Sequence, residues 1–228
     1  MNLPEQYAAM RQAALRQFAQ GAAEVDALLG APHDTRRGLT LLARPPAAVM
    51  ARLETMLADF RQAEPEQYYY PATDIHLTIL SIISCYPGFS LQAISPEKYR
   101  RALRGILQAA RPFTIRYAGL TASPGGIMVQ GFPQGDALAS LRQTIREFFQ
   151  HADLPHSIDQ RYRLQTAHST VIRFRKPLAN SVALLEKISK YQAQDFGSFE
   201  IASVELVHND WDQQAAHTVL LEKYPLGR

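Results

Sequence analysis

The sequence predicts an α+β fold, built from a duplicated β-α-β-α-β unit behind a helical N-terminal extension. Hydrophobic spacing changes at Gly38 from helical to short strands alternating with helices. The same order of elements then runs twice, and the second strand of each run carries a His-x-Thr triplet.

Residues 1–37 read as a helical extension and linker. Tyr7, Met10, Ala14 and Phe18, then Val25, Leu28 and Leu29, fall near helical spacing, with Gly21 as a break or kink before the linker APHDTRRG. Nothing in this segment suggests chemistry, and it is expected to pack on the main body. Residues 38–228 read as one domain whose halves are about 38–123 and 124–228.

In the first half GLTLLARPP is a strand ended by prolines, and Val49, Leu53, Met56, Leu57 and Phe60 recur at helical spacing behind them. After the loop AEPEQYYYPAT comes the strand DIHLTILSI. Ser95 is a cap for a helix bearing Tyr99, Leu103, Ile106, Leu107 and Ala110, which Pro112 stops before the strand FTIRYAGL. The turn SPGG closes the half. The second half repeats this order: GGIMVQGFP, a helix behind Asp136 with Leu138, Leu141, Ile145, Phe148 and Phe149, the loop HADLPHSIDQRYR, and the strand LQTAHSTVIRF. A helix capped by Asn180 then leads to SFEIASVEL, read as one strand. GLTLLARPP and GIMVQGFP start 88 residues apart, His76 and His168 stand 92 apart, and FTIRYAGL and FEIASVEL 86 apart.

Composition sets bounds on function. At 228 residues, 46% hydrophobic and 20% charged, the chain is that of an ordinary globular protein. A net charge of +3 permits an anionic partner, yet Lys and Arg are not clustered as a duplex-DNA binder requires. No apolar run approaches the roughly 20 residues of a membrane span, and no signal peptide is recognisable, so a cytoplasmic protein is expected. The single cysteine, Cys85, has no partner for an internal disulfide and reads as a bystander.

A lone histidine on an apolar strand usually belongs to the core. Two His-x-Thr triplets at equivalent places in a duplicated unit are harder to explain that way. Residues two apart on a strand share a face, so His76 stands beside Thr78 and His168 beside Thr170. If the halves face a common groove, two hydroxyls could hold an anion flanked by two imidazoles. Histidine, with a reference pKa of roughly 6.5, serves as proton acceptor or donor near neutrality. This quartet suits attack on a phosphodiester. Zinc would want a third ligand, and only Asp74, on the face of His76 by parity, offers one.

HLTI at 76–79, HSTV at 168–171, the proline-ended strands and the terminal segment AAHTVLLEKYPL together resemble the two-histidine (2H) phosphoesterases, in particular the bacterial 2′-5′ RNA ligase-like branch. The resemblance covers about residues 38–224. It implies two related α+β lobes with antiparallel sheets facing a central groove, and metal-independent opening of 2′,3′-cyclic or related phosphates in RNA or nucleotides. It implies His76 and His168 as the acid/base pair, order unassigned, and Thr78 and Thr170 as phosphate donors. No cofactor or metal is expected. The implied partner is an RNA end, an oligonucleotide or a small nucleotide with a cyclic phosphate. Ala167 and Ser169 depart from the proline and the apolar residue usual around the second histidine.

Arg173 resembles the basic residue that follows the second motif in this branch. Strand parity places it on the face opposite His168 unless the strand bulges. Among Tyr68, Tyr69 and Tyr70, Tyr70 is the candidate to contact substrate by stacking, against a plainer role covering the sheet edge. His33, His151, His156, His208 and His217 have no such pairing. An alternative keeps the groove but makes it a nucleotide or RNA-end sensor without turnover.

Overall fold

The computed structural model describes residues 2–227. Its first element, α1 (Leu3–Ala19), starts on a capping box: the Asn2 side chain accepts from the Glu5 backbone N–H, and the Glu5 carboxylate accepts from the Asn2 N–H. The helix does not resume after Gly21, which adopts φ +68°. Val25, Leu28 and Leu29 lie in turns, where the Asp26 carboxylate takes the Leu28 N–H that a helix would have used. The extension is an integral part of the body: Tyr7, Ala14 and Phe18 are fully buried and the helix lies against β4.

The remaining elements are β1 (Arg36–Ala43), α2 (Ala47–Ala63), β2 (Tyr68–Tyr69), β3 (Leu77–Pro87), α3 (Pro96–Ala109), β4 (Phe113–Ser123), β5 (Gly126–Pro133), α4 (Ala137–His151), β6 (Ser169–Arg173), α5 (Ser181–Lys190), β7 (Asp195–Ile201), β8 (Ser203–Asp210) and β9 (Val219–Pro225). The helices form where apolar residues recur at three- and four-residue steps, and those stripes are what they bury: Val49, Leu53, Met56, Leu57 and Phe60 on α2, and Leu138, Leu141, Ile145 and Phe149 on α4. No helix among the described residues is long and apolar enough to cross a membrane.

All strand pairs are antiparallel. They form two sheets, in the orders β3-β1-β8-β9 and β2-β6-β5-β4-β7. Apart from the short edge strand β2 the sheets match position by position: β3 with β6, β1 with β5, β8 with β4 and β9 with β7. Each sequence half therefore lends two strands to the sheet begun by the other, β2 and β4 in one direction and β8 and β9 in the other. β4 leaves the first half to pair with β5, and β8 leaves the second to pair with β1. β1 and β5, α2 and α4, and β4 and β8 each begin 90 residues apart. SFEIASVEL is accordingly two strands, broken at Ala202, with β7 in one sheet and β8 in the other. The sheet counterpart of FTIRYAGL is β8, four residues beyond the alignment read from sequence.

Candidate active site

His76 and His168 each occupy the residue just before a strand, β3 and β6, and Thr78 and Thr170 are the second residues of those strands. All four are half-buried and line one cavity. The two His-x-Thr triplets, which are 92 residues apart in the chain, therefore meet.

Each strand bulges just after its threonine. On β3, Leu80 and Thr78 pair with the consecutive residues Leu41 and Leu42, so Ile79 is left over. On β6, Thr170 and Ile172 pair with the consecutive residues Met128 and Ile127, so Val171 is left over. A bulge reverses the alternation of faces beyond it. Arg173, set on the far face by simple parity, consequently turns to the cavity beside His168 and Thr170, and its counterpart Ser81 lines the cavity beside His76.

The ring of His76 is fixed by its Nδ1, which donates to the Asp74 main-chain carbonyl at 2.7 Å. Because a carbonyl only accepts, the neutral ring carries its proton on Nδ1 and leaves the Nε2 lone pair free. Asp74 is no ligand. Its carboxylate is taken up by Tyr68 Oη, Thr73 Oγ1 and the Ala215 N–H. His168 Nδ1 lies 2.7 Å from Thr166 Oγ1, a hydroxyl that can donate or accept and so permits either tautomer. Among the described residues no group of three or more His, Cys, Asp or Glu is placed to hold a metal ion.

Burial is the main reason both imidazoles are held well below the ordinary histidine value, to about 4. Arg44 and Arg173 add to this at His76, where the Asp74 carbonyl opposes it; Arg142, Arg173 and the other histidine add to it at His168. Near neutrality both are uncharged in the free protein. At Arg173 burial opposes the charge, but Tyr70 and Asp212 outweigh it and the pKa is raised; Arg173 Nε lies 3.7 Å from Asp212 Oδ1. Burial lifts Asp212 itself to about 6, with Arg173 pulling the other way. Tyr70 lines the cavity through an edge only: it is 1% exposed, packs edge-to-face on Tyr68, and donates its hydroxyl to Asp212. A ring so enclosed has no free face for stacking.

Several residues that sequence reasoning passed over hold the two triplets in register. The Ser169 hydroxyl donates to the His76 carbonyl, and since that uses its only proton, Tyr117 donates to Ser169. Arg142, from the buried stripe of α4, donates to the carbonyls of Thr78 at 2.9 Å, Ile79 at 2.8 Å and Gln165 at 3.3 Å. It thus supplies the bulged residue of β3 with the partner its ladder lacks and ties that strand to the segment before His168. Tyr7 Oη donates to Gly131 O and accepts from the N–H of Ala167, at 3.0 Å each. Gly131 permits this approach, since a Cβ there would lie 1.8 Å from Ala167 O. Arginines at 142 and 146, within an otherwise apolar helical stripe, were the legible signal. Arg161, Tyr162 and Trp211, which also line the cavity, gave none.

Cys85 lines the cavity as well. Burial pushes its thiol up to about 12, with Asp210 adding to the effect, so it stays protonated. Tyr69 donates to Glu64 O, and Phe89 is buried against Tyr86 and His208, both away from the cavity.

No family model and no curated protein matches the chain. Solved structures do. TT0787 of Thermus thermophilus superposes with a TM-score of 0.60 at 16% identity, over 84% of this chain and 99% of that one. A phosphoesterase gives 0.55 at 13% identity, over 85% and 99%. E. coli LigT complexed with 3′-AMP gives 0.53 at 13% identity, also over 85% and 99%. The expectation of an α+β, two-sheet architecture is met, and the chain has the fold of LigT and of that phosphoesterase.

Proposed function

We propose that the chain is a phosphodiesterase that opens 2′,3′-cyclic phosphates, or cleaves 2′-5′ linkages, in RNA or nucleotides by two-histidine acid/base catalysis without a metal. The observation that carries this is the convergence of His76, Thr78, His168, Thr170 and Arg173 on one cavity. Structures of LigT complexed with 3′-AMP, ATP and NADP+ add that a nucleotide fits the shared fold in that protein.

In this reading Thr78, Thr170 and Arg173 hold the non-bridging oxygens, and Arg173 neutralises charge as the phosphorus becomes five-coordinate. His76 is the base. Its Nε2 lone pair is available because Nδ1 is committed to Asp74, and it takes the proton of the attacking water as the new P–O bond forms. His168 is the acid. Thr166 can serve either tautomer, and the bound anion offsets the burial that otherwise keeps the ring neutral, so His168 gains a proton and passes it to the ribose oxygen as the old P–O bond breaks.

The test is turnover of ribonucleoside 2′,3′-cyclic phosphates and short 2′-5′ oligonucleotides in EDTA. His76→Ala or His168→Ala should lower kcat by at least about a hundredfold, the usual scale of general acid/base catalysis. His151→Ala, on the exposed end of α4, should not. Binding of the nucleotide with no product would refute the proposal and favour a sensor.

A further inference from the structure

A second cavity opens off the first along Arg161, Tyr162, Leu164, His168, Thr170, Arg173 and Trp211, which line both, whereas Arg163 lines the second alone. It runs beside residues 161–166 towards Gln6 and Met10 of α1, and its charged residues, Arg161, Arg163, His168 and Arg173, include no carboxylate. Arg161 makes no ion pair among the described residues; its guanidinium lies 4.4 Å above the ring of Trp211. Arg163 has a neutral partner, Gln143 Oε1 at 3.1 Å. Between them Tyr162 is 65% exposed, a large aromatic face open to solvent beside two cations. The arginines elsewhere around the site are already committed, Arg146 to Asp159 at 2.7 Å and Arg36 to Asp34 at 2.7 Å.

From this contrast we infer that the second cavity binds the phosphate and base of a further nucleotide unit joined to the reacting phosphate. The inference rests on the phosphodiesterase reading and names what lies beyond its reaction centre. Cations without carboxylate partners attract anions. A guanidinium already stacked on Trp211 presents its outer plane, and Tyr162 its ring, to a base that any nucleotide can supply. Two sources share this chemistry: the next nucleotide of a single strand, and the other half of a pyrophosphate-linked dinucleotide.

Three substrates separate the cases: a nucleoside 2′,3′-cyclic phosphate, a dinucleotide ending in the same cyclic phosphate, and a pyrophosphate-linked dinucleotide carrying it. The native chain should prefer one of the two-unit substrates by at least about tenfold in kcat/KM, the scale of one stacked base and one phosphate contact. Which one is preferred identifies the source. Arg161→Ala with Arg163→Ala should abolish that preference and flatten its dependence on salt, Tyr162→Ala should reduce it, and Arg163→Lys should restore the salt dependence. Equal kcat/KM for one-unit and two-unit substrates, or a preference that survives the double substitution, overturns the inference. If no substrate turns over, the phosphodiesterase reading fails on its own. The second cavity is then judged by titration: two-unit ligands should still bind more tightly than the mononucleotide, and loss of that margin in the double variant supports it, whereas equal affinities overturn it.

Discussion

Burial opposes the charge of His76 and His168 and keeps them neutral in the free protein, and in the proposed reaction a phosphate between them would remove much of that opposition. The kcat/KM profile, which reports the free enzyme, should therefore have its histidine limbs below the usual 6.5, while the alkaline limb in kcat should move upward. Identical profiles would show that the anion leaves both rings unperturbed. Stability follows the same titration. The folded histidines sit near 4 and the unfolded ones near 6.5, so the unfolded chain binds more protons between those values and stability is lost as pH falls through that window. Inorganic phosphate should recover part of the loss in Tm near pH 5. Ser169 offers a sharper test of placement. Replacing it by alanine strands the Tyr117 hydroxyl and the His76 carbonyl, which should cost about 1–3 kcal/mol in chemical denaturation. If Ser169 spaces the histidines, kcat should fall more than KM rises. The quartet was legible because its residue types recur at one spacing, whereas the use of Ser169 depends on which carbonyl lies opposite, and the local sequence is silent on that.

Among the elements, β6 shows how a single unpaired residue redirects a side chain. Simple alternation put Arg173 on the face away from His168; the bulge at Val171 returns it to the cavity. Bulges are set by the partner strand, so neither triplet announces its own, although their matching places on β3 and β6 follow the duplication. Arg173→Ala should weaken inorganic phosphate binding by about tenfold or more in calorimetry, and should lower Tm as well, because it leaves the buried Asp212 without its cation. Undiminished phosphate binding would place the anion elsewhere. Arg142 on α4 serves β3 rather than the anion. Methionine at 142 would fill the volume but strand three carbonyls, and a loss of about 2–4 kcal/mol in urea denaturation is expected, more than for Gln150→Met on the exposed face of the same helix. Helix positions were legible because each apolar stripe is local. The short extent of β6, which begins only at Ser169 although the apolar pattern starts earlier, was not, since pairing decides where a strand begins.

For the molecule as a whole the duplication was visible in the order of elements, but the exchange of β4 and β8 was not. A strand that crosses to the other sheet keeps the same alternation and the same length of connection, so nothing in its residues marks the destination. The N-terminal helix was likewise read as an outlying part, since Tyr7 shows its use only once Gly131 and Ala167 are beside it. Tyr7→Phe should lower kcat/KM while the fold survives, because the Ala167 N–H beside His168 loses its acceptor.

The exchange also bears on how the chain comes apart. Cut at the turn around Pro124 and Gly125, each fragment holds a strand whose intended neighbour is on the other piece: β4 without β5, and β8 without β1. Fragments 1–123 and 124–228 should each be largely unstructured by circular dichroism, yet complement one another when mixed, with a midpoint that rises with concentration as for a heterodimer. The cavity between the two histidines is in this sense a junction between two interlocked pieces that happen to share one backbone.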